Sequence, residues 1–223
     1  NKELLLVGSF YFYMTKLTCV CPVWKRPQRT IRAIESILAQ NFTGWEAMII
    51  GDACPLFQEK LDDGTFEKYA QQAAAQGNIM HFENLDTRGA GWGHMARKKG
   101  IELATGKYIC FLDNDDVLKP NHFENYYTFM EADPEADCGY FNAYTQPWKK
   151  ERNACLSRGG IGNAELMFKA EALKKEYQPD AEYEHDWRLV DRMRNKGYVF
   201  RKSKSPSTYI IMSIPNYREK DID

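Results

Sequence analysis

The segment FLDNDDV, residues 111–117, holds the densest set of side chains able to do chemistry. It closes the apolar run YICFL, which reads as a buried strand over 108–112. At an extended strand end, residues i and i+2 point the same way, so Asp113 and Asp115 can face one ligand. Two carboxylates in that position suit a hard divalent cation that also holds a diphosphate. In open α/β sheets the carboxyl edge of the strands is where ligands bind. The same residues also read as an acidic turn that caps a helix starting near Pro120. Asp52 ends another apolar run, WEAMIIG, where it can accept from a base or ribose donor or close a turn. Trp24 follows the first strand and offers a stacking face or a packing surface. Three strand ends with ligand-type residues on one expected sheet edge favour ligand binding.

Those side chains need a scaffold, and the patterning supplies one. A strand over 17–23 (LTCVCPV) stops at Lys25-Arg26-Pro27. Ile31, Ile34, Ile37 and Leu38 repeat at helical spacing within 29–40. A strand over 45–50, a helix over 57–75 and a strand over 78–82 follow. A Gly-rich loop, 88–93, leads into a helix ending at Ala104. After the 108–112 strand come a helix over 121–131 and a strand over 138–144. Beyond residue 145 the pattern loosens, with a short strand near 165–168, a helix over 184–196, and late strands over 198–201 and 207–212. Strands alternating with helices of about 10–15 residues predict an α/β fold, layered around a mostly parallel sheet.

The chain has 223 residues, and without repeats or linkers they read as one domain over 14–223. Residues 1–13 read as an N-terminal extension outside it. The apolar stretch 4–14 is far short of the ~20 residues of a membrane helix, and it lacks the basic lead-in of a signal peptide. With 43% apolar and 27% charged residues the composition is globular, which excludes a disordered or collagen-like chain. Thirty basic against 31 acidic residues leave a net charge of −1, without the basic surface that nucleic acid selects. No transmembrane segment is expected. The six cysteines form no CxxC pair, which favours reduced thiols in a cytoplasmic protein. His81, His94 and His122 read as structural or surface residues, and Tyr126, Tyr127 and Trp148 as packing.

Three stretches carry a resemblance. PVWKRPQRTIRAIESILAQNFTGWEAMIIGDAC (22–54) resembles the opening of family-two glycosyltransferases, "PVYNR…ESILAQ…" ending in Asp. GHMARKKGIELATGKYICFLDNDDVLKP (93–120) is similar to that family's "ARNxGIxxAxGxYIxFLDxDDxxxP". YEHDWRLVDRMRNKGYVF (183–200) resembles its "EDWxLxxRxxxxGY" acceptor-site helix. Order and spacing match across about 17–212.

The resemblance implies a GT-A fold, a three-layer sandwich with a nucleotide-binding half (about 17–118) and an acceptor-binding half (about 119–212). It places Pro22, Val23, Trp24, Asp52, Arg97, Asp113 and Asn114 at the nucleotide. Asp113 and Asp115 match the DxD that holds Mn2+ or Mg2+, with Asp115 the main metal ligand and Asp113 nearer the ribose. Glu184, His185 and Trp187 fall at the acceptor, and Asp186 matches the family's general base. Four departures stand out: Gly51 replaces the first Asp of "DDGS", Lys98 the Asn of "ARN", and His185 the Glu of "EDW", while no "YRxH" follows Tyr209. Leu189 and Met193 repeat at i and i+4, which puts Asp186 in the first turn of a helix, where the dipole favours its ionised form.

The implied activity is metal-dependent, inverting transfer of a sugar from a nucleotide donor, a UDP-sugar, to a glycan, lipid-linked or other hydroxyl acceptor. That fits polysaccharide biosynthesis, in the cytoplasm or at the inner face of a membrane. Two rivals remain. One is a catalytically silent nucleotide- or glycan-binding module. The other is a haloacid-dehalogenase-type phosphatase using Asp113 as nucleophile and Asp115 as acid/base, although that family opens with its motif and here about a hundred residues precede it.

Overall fold

A computed structural model describes residues 4–7, 10–13, 15–89, 91–179 and 185–212. Strands β1 (Leu4–Val7) and β2 (Phe10–Tyr13) form an antiparallel hairpin that is a sheet by itself. The first half then alternates as expected. β3 (Leu17–Val23) leads to helix α1 (Pro27–Leu38), then β4 (Trp45–Gly51), α2 (Pro55–Asp62), α3 (Glu67–Ala75) and β5 (Ile79–Asn84). Helix α4 (His94–Leu103), β6 (Tyr108–Phe111), β7 (Val117–Leu118) and α5 (His122–Ala132) follow. The rest is β8 (Cys138–Tyr140), β9 (Ala143–Thr145), β10 (Lys150–Arg152), a 3₁₀ turn (Asn163–Glu165), β11 (Leu166–Lys169), α6 (Ala170–Glu176), α7 (His185–Asn195), β12 (Phe200–Lys202) and β13 (Tyr209–Ile211).

The central sheet runs β12-β8-β11-β6-β3-β4-β5. Only β11 runs against its neighbours, so the sheet is mixed but mostly parallel. Every residue of β3 and β4 is buried, because helices cover both faces and no face is left for alternating polar residues. On one face α1 buries Ala33, Ile34 and Ile37. On the other, α4 lies almost on the strands: a Cβ at Gly100 would stand 2.5 Å from Val20 Cγ1. Glycine is required there for the helix to approach so closely. β6, β3 and β4 are parallel neighbours, so their carboxyl ends share one edge.

A second sheet, β10-β9-β13-β7, stands beyond that edge. Its Tyr209 hydroxyl accepts from the Asp113 N–H at 3.0 Å and donates to Asp116 Oδ2 at 3.0 Å. The Met212 N–H donates to Asp116 Oδ1 at 2.8 Å. The small sheet thus clamps the acidic turn from behind.

Three expectations change. The helix over 57–75 is two helices, divided at Gly64, whose φ of +74° ends the first. The strand over 138–144 is also two, since the chain leaves the large sheet after Tyr140 and joins the small one at Ala143. α6 appears between β11 and residue 177, where periodicity gave no helix.

Candidate active site

Asp52 is buried just past β4. Its N–H donates to Val23 O at 2.9 Å, and its Oδ1 accepts from the Gly89 N–H at 3.0 Å. Arg88 approaches Oδ2 to 4.0 Å and lays its guanidinium over the Trp24 ring, 3.7 Å from the centroid. Trp24, Asp52 and Arg88 therefore form one aromatic, anionic and cationic corner, and Pro22 and Val23 complete the strand exit beside it. Nothing in the sequence singles out Arg88 beyond its place in the Gly-rich loop. A Cβ at Gly51 would stand 2.2 Å from Asn84 Oδ1 and 2.7 Å from Phe57 Cδ1, so packing leaves no room for a side chain there.

Asp113 and Asp115 sit on a turn rather than on an extended strand end. The Asp116 N–H closes onto Asp113 O at 3.0 Å, so the two carboxylates occupy turn corners instead of alternate strand positions. Arg97 Nη2 donates to Asp113 Oδ1 at 2.7 Å. Asp115 pairs with Arg26, and Arg29 Nη1 lies 3.8 Å from it. Arg26 itself caps α1 in the left-handed region, φ +56°. Asn114 points inward, donating to Thr30 Oγ1 at 2.9 Å and Lys25 O at 3.2 Å, where it anchors the α1 entry. Burial, then the nearby Asp113 charge, pushes Asp115 up from the usual carboxylate range and Asp116 well above it. Asp113 and Asp115 present hard carboxylate oxygens of the kind a divalent cation takes. Among the described residues no cluster of three or more His, Cys, Asp or Glu side chains forms an all-protein metal cage.

The third group lies at the start of α7. His185 Nε2 is 2.9 Å from Asp186 Oδ1, and the Asn163 N–H donates to Asp186 Oδ2 at 3.3 Å. Burial works against the Asp186 charge, but the His185 hydrogen bond and the His185 and Arg97 charges prevail and hold its carboxyl below the usual range. Trp187 is half-buried and packs on the core between α7 and the sheet. Glu184 lies outside the described residues. Tyr126 is buried against Phe141, centroids 3.5 Å apart, while Trp148 is exposed.

One carboxyl group went without any sequence signal except a Glu at the head of an apolar strand. Glu165 is 1% exposed. Its Oε2 accepts from the Gly162 N–H at 2.9 Å, and Oε1 lies 3.4 Å from Arg152 Nε. Burial pushes its pKa up to about 7, against Arg152, with Asp186 adding to the rise.

A family model described as Glycosyl transferase family 2 matches residues 18–193. The putative colanic acid biosynthesis glycosyl transferase WcaA of Escherichia coli (strain K12) is 38% identical over 100 residues, covering 45% of this chain and 32% of WcaA. This chain thus spans about a third of the length of that relative. S. aureus TarS 1-349 in complex with UDP-GlcNAc superposes with a TM-score of 0.72 at 12% identity, covering 89% of this chain and 59% of TarS 1-349. The mannosyltransferase PcManGT from Pyrobaculum calidifontis, in complex with GDP-Man and Mn2+, gives 0.68 at 15% identity, covering 92% and 59%. These structural neighbours are GT-A glycosyltransferases, and the α/β layering here is the same fold.

Proposed function

Since this chain belongs to glycosyl transferase family 2, we propose that it moves a sugar from a nucleoside diphosphate donor to a hydroxyl acceptor with inversion, using Asp186 as general base. The observation that carries this reading is the placement of Arg97. It hydrogen-bonds Asp113 of the acidic turn, and its charge also helps hold down the Asp186 carboxyl. One buried cation thereby joins the donor end of the site to the base.

In this reading Trp24, Asp52 and Arg88 hold the nucleoside, with Pro22 and Val23 lining its exit. Uridine is the proposed base, supported by the UDP-GlcNAc complex of the TarS neighbour; the PcManGT complex with GDP-Man makes guanosine the contrast. Mn2+ or Mg2+ held by Asp113 and Asp115 would stabilise the charge that develops on the departing diphosphate. Asp186, ionised, takes the acceptor proton as the acceptor oxygen bonds to the anomeric carbon and the diphosphate leaves from the opposite face. His185 and Asn163 fix the carboxylate's orientation through the contacts above. The nucleotide-binding half is 17–118 and the acceptor half 119–212, and the acceptor is a glycan or lipid-linked hydroxyl. Among the described residues no helix is long and apolar enough to cross a membrane. We place the activity in the cytoplasm or at the inner face of a membrane, in polysaccharide assembly.

Purified protein incubated with UDP-GlcNAc and Mn2+ tests the reading. UDP release that increases with acceptor glycans supports it. Nucleotide binding without release from any of a panel of UDP- and GDP-sugars would instead make the chain a binding module.

A further inference from the structure

We propose that Glu165 is a positioning residue that acts through Asp186: its carboxyl group, set across Gly162 from Asp186, governs the base strength of Asp186. This rests on the assignment of Asp186 as the base. A Cβ placed on Gly162 would lie 3.5 Å from Asp186 Oδ2 and 3.7 Å from Glu165 Oε2, so both carboxyl groups border the space that a side chain there would fill. The Gly162 N–H and the Asn163 N–H hold one carboxyl each, which fixes both to the same short turn.

The surroundings of Glu165 leave it unsettled. Arg152 on β10 is within ion-pair range of Oε1, yet that buried oxygen accepts no hydrogen bond among the described residues. Asn163 Oδ1 and His185 Nδ1, on the same wall, are also buried without a partner there. Lys202 on β12 favours the charged form, Asp186 on α7 opposes it, and Tyr126 on α5 lies within electrostatic range. Burial outweighs these cations and leaves the group titrating at about 7.

The consequence follows from like-charge repulsion. With Glu165 protonated, Asp186 is held down by His185 and Arg97 and is a weak base. Ionised Glu165 adds a second negative charge across Gly162, which raises the proton affinity of Asp186 and makes it a better acceptor of the substrate proton. The two groups therefore titrate as a coupled pair.

The test uses ligand-free protein carrying carboxyl-13C glutamate and aspartate, followed by NMR from about pH 4 to 9. One glutamate carbon should titrate near neutrality and vanish in Glu165→Gln. The Asp186 carbon, assigned by its loss in Asp186→Asn, should inflect at the same pH in the wild type and not in Glu165→Gln. An Asp186 carbon blind to that pH overturns the inference. Should Glu165→Gln fail to fold, Asp186→Asn gives the reciprocal reading: the Glu165 midpoint must fall, and an unchanged midpoint overturns the coupling. With UDP-GlcNAc and Mn2+, kcat for UDP release should rise several-fold through neutrality in the wild type and stay flat in Glu165→Gln, with UDP affinity unchanged. A Glu165→Gln profile like that of the wild type also overturns it. Coupling seen by NMR in a protein that releases no UDP would leave the pairing standing and sink the transferase reading instead.

Discussion

Arg97 donates from Nη2 to Asp113 Oδ1 at 2.7 Å, reaching from α4 to the acidic turn that follows β6. The guanidinium is buried, and the Asp113 and Asp186 carboxylates support its charge against the desolvation that burial imposes. Arg97→Ala should therefore be costly in two ways. It leaves Asp113, whose side chain is 39% exposed, without its partner, a loss of about 1–3 kcal/mol because water screens part of the charge. It also raises the Asp186 pKa. Chemical denaturation measures the first effect, and Arg97→Lys should recover part of it. Wild-type stability in Arg97→Ala would show that Asp113 is satisfied by other groups.

Binding and chemistry should separate at Asp186. Asp186→Asn keeps the side chain's shape and removes its basicity, so UDP–Mn2+ affinity should stay near normal while transfer falls at least ~100-fold. Asp115→Ala should lose donor binding and transfer together, and chelation should weaken UDP binding to the wild type. Calorimetry with UDP, with and without EDTA, reads both; affinity indifferent to EDTA would remove the metal from the acidic turn.

The nucleoside corner should be read by thermal shift. A nucleotide at about 100 times its Kd adds about 2.7 kcal/mol to stability, a readily visible rise in Tm. Asp52→Ala should abolish most of the rise with UDP. Arg88→Ala should reduce it, because Arg88 covers Trp24 and approaches Asp52. A larger shift with GDP than with UDP would reassign the base without touching the fold.

His122 should make the protein acid-sensitive. It is fully buried, with Nδ1 2.9 Å from Thr208 Oγ1, and burial pushes its pKa down to about 3. In the unfolded chain it titrates near 6.5, so the unfolded state binds the extra proton between those values. The stability it permits is complete above about pH 6.5 and is lost progressively as pH falls toward 3, on the order of 3–5 kcal/mol in all. His122→Gln, which cannot charge, should unfold at lower pH than the wild type in an acid titration followed by circular dichroism. An unshifted acid midpoint would mean that other groups govern acid unfolding.

Much of the fold was legible because it follows from local patterning. The 17–23 run is apolar throughout, as a strand covered on both faces must be, and β3 occupies those residues. Ile34 and Ile37 announce α1 by their spacing, and both are buried. The 57–75 helix failed at Gly64 because a left-handed residue in an otherwise helical composition leaves no mark on periodicity. The strand over 138–144 failed at a transfer between sheets, which depends on partners far away in sequence.

The sequence by itself determined the strand ends that carry Trp24, Asp52 and Asp113, because a parallel α/β sheet must deliver its ligand-type residues to its carboxyl edge. Tertiary structure alone decided their counterparts: Arg88 over Trp24, Arg97 on Asp113, Arg26 on Asp115, and Glu165 across Gly162 from Asp186. The physical reason is range. Strand and helix follow from side chains a few residues apart, whereas the proton affinity of a carboxyl group depends on burial and on charges that only the completed fold brings near.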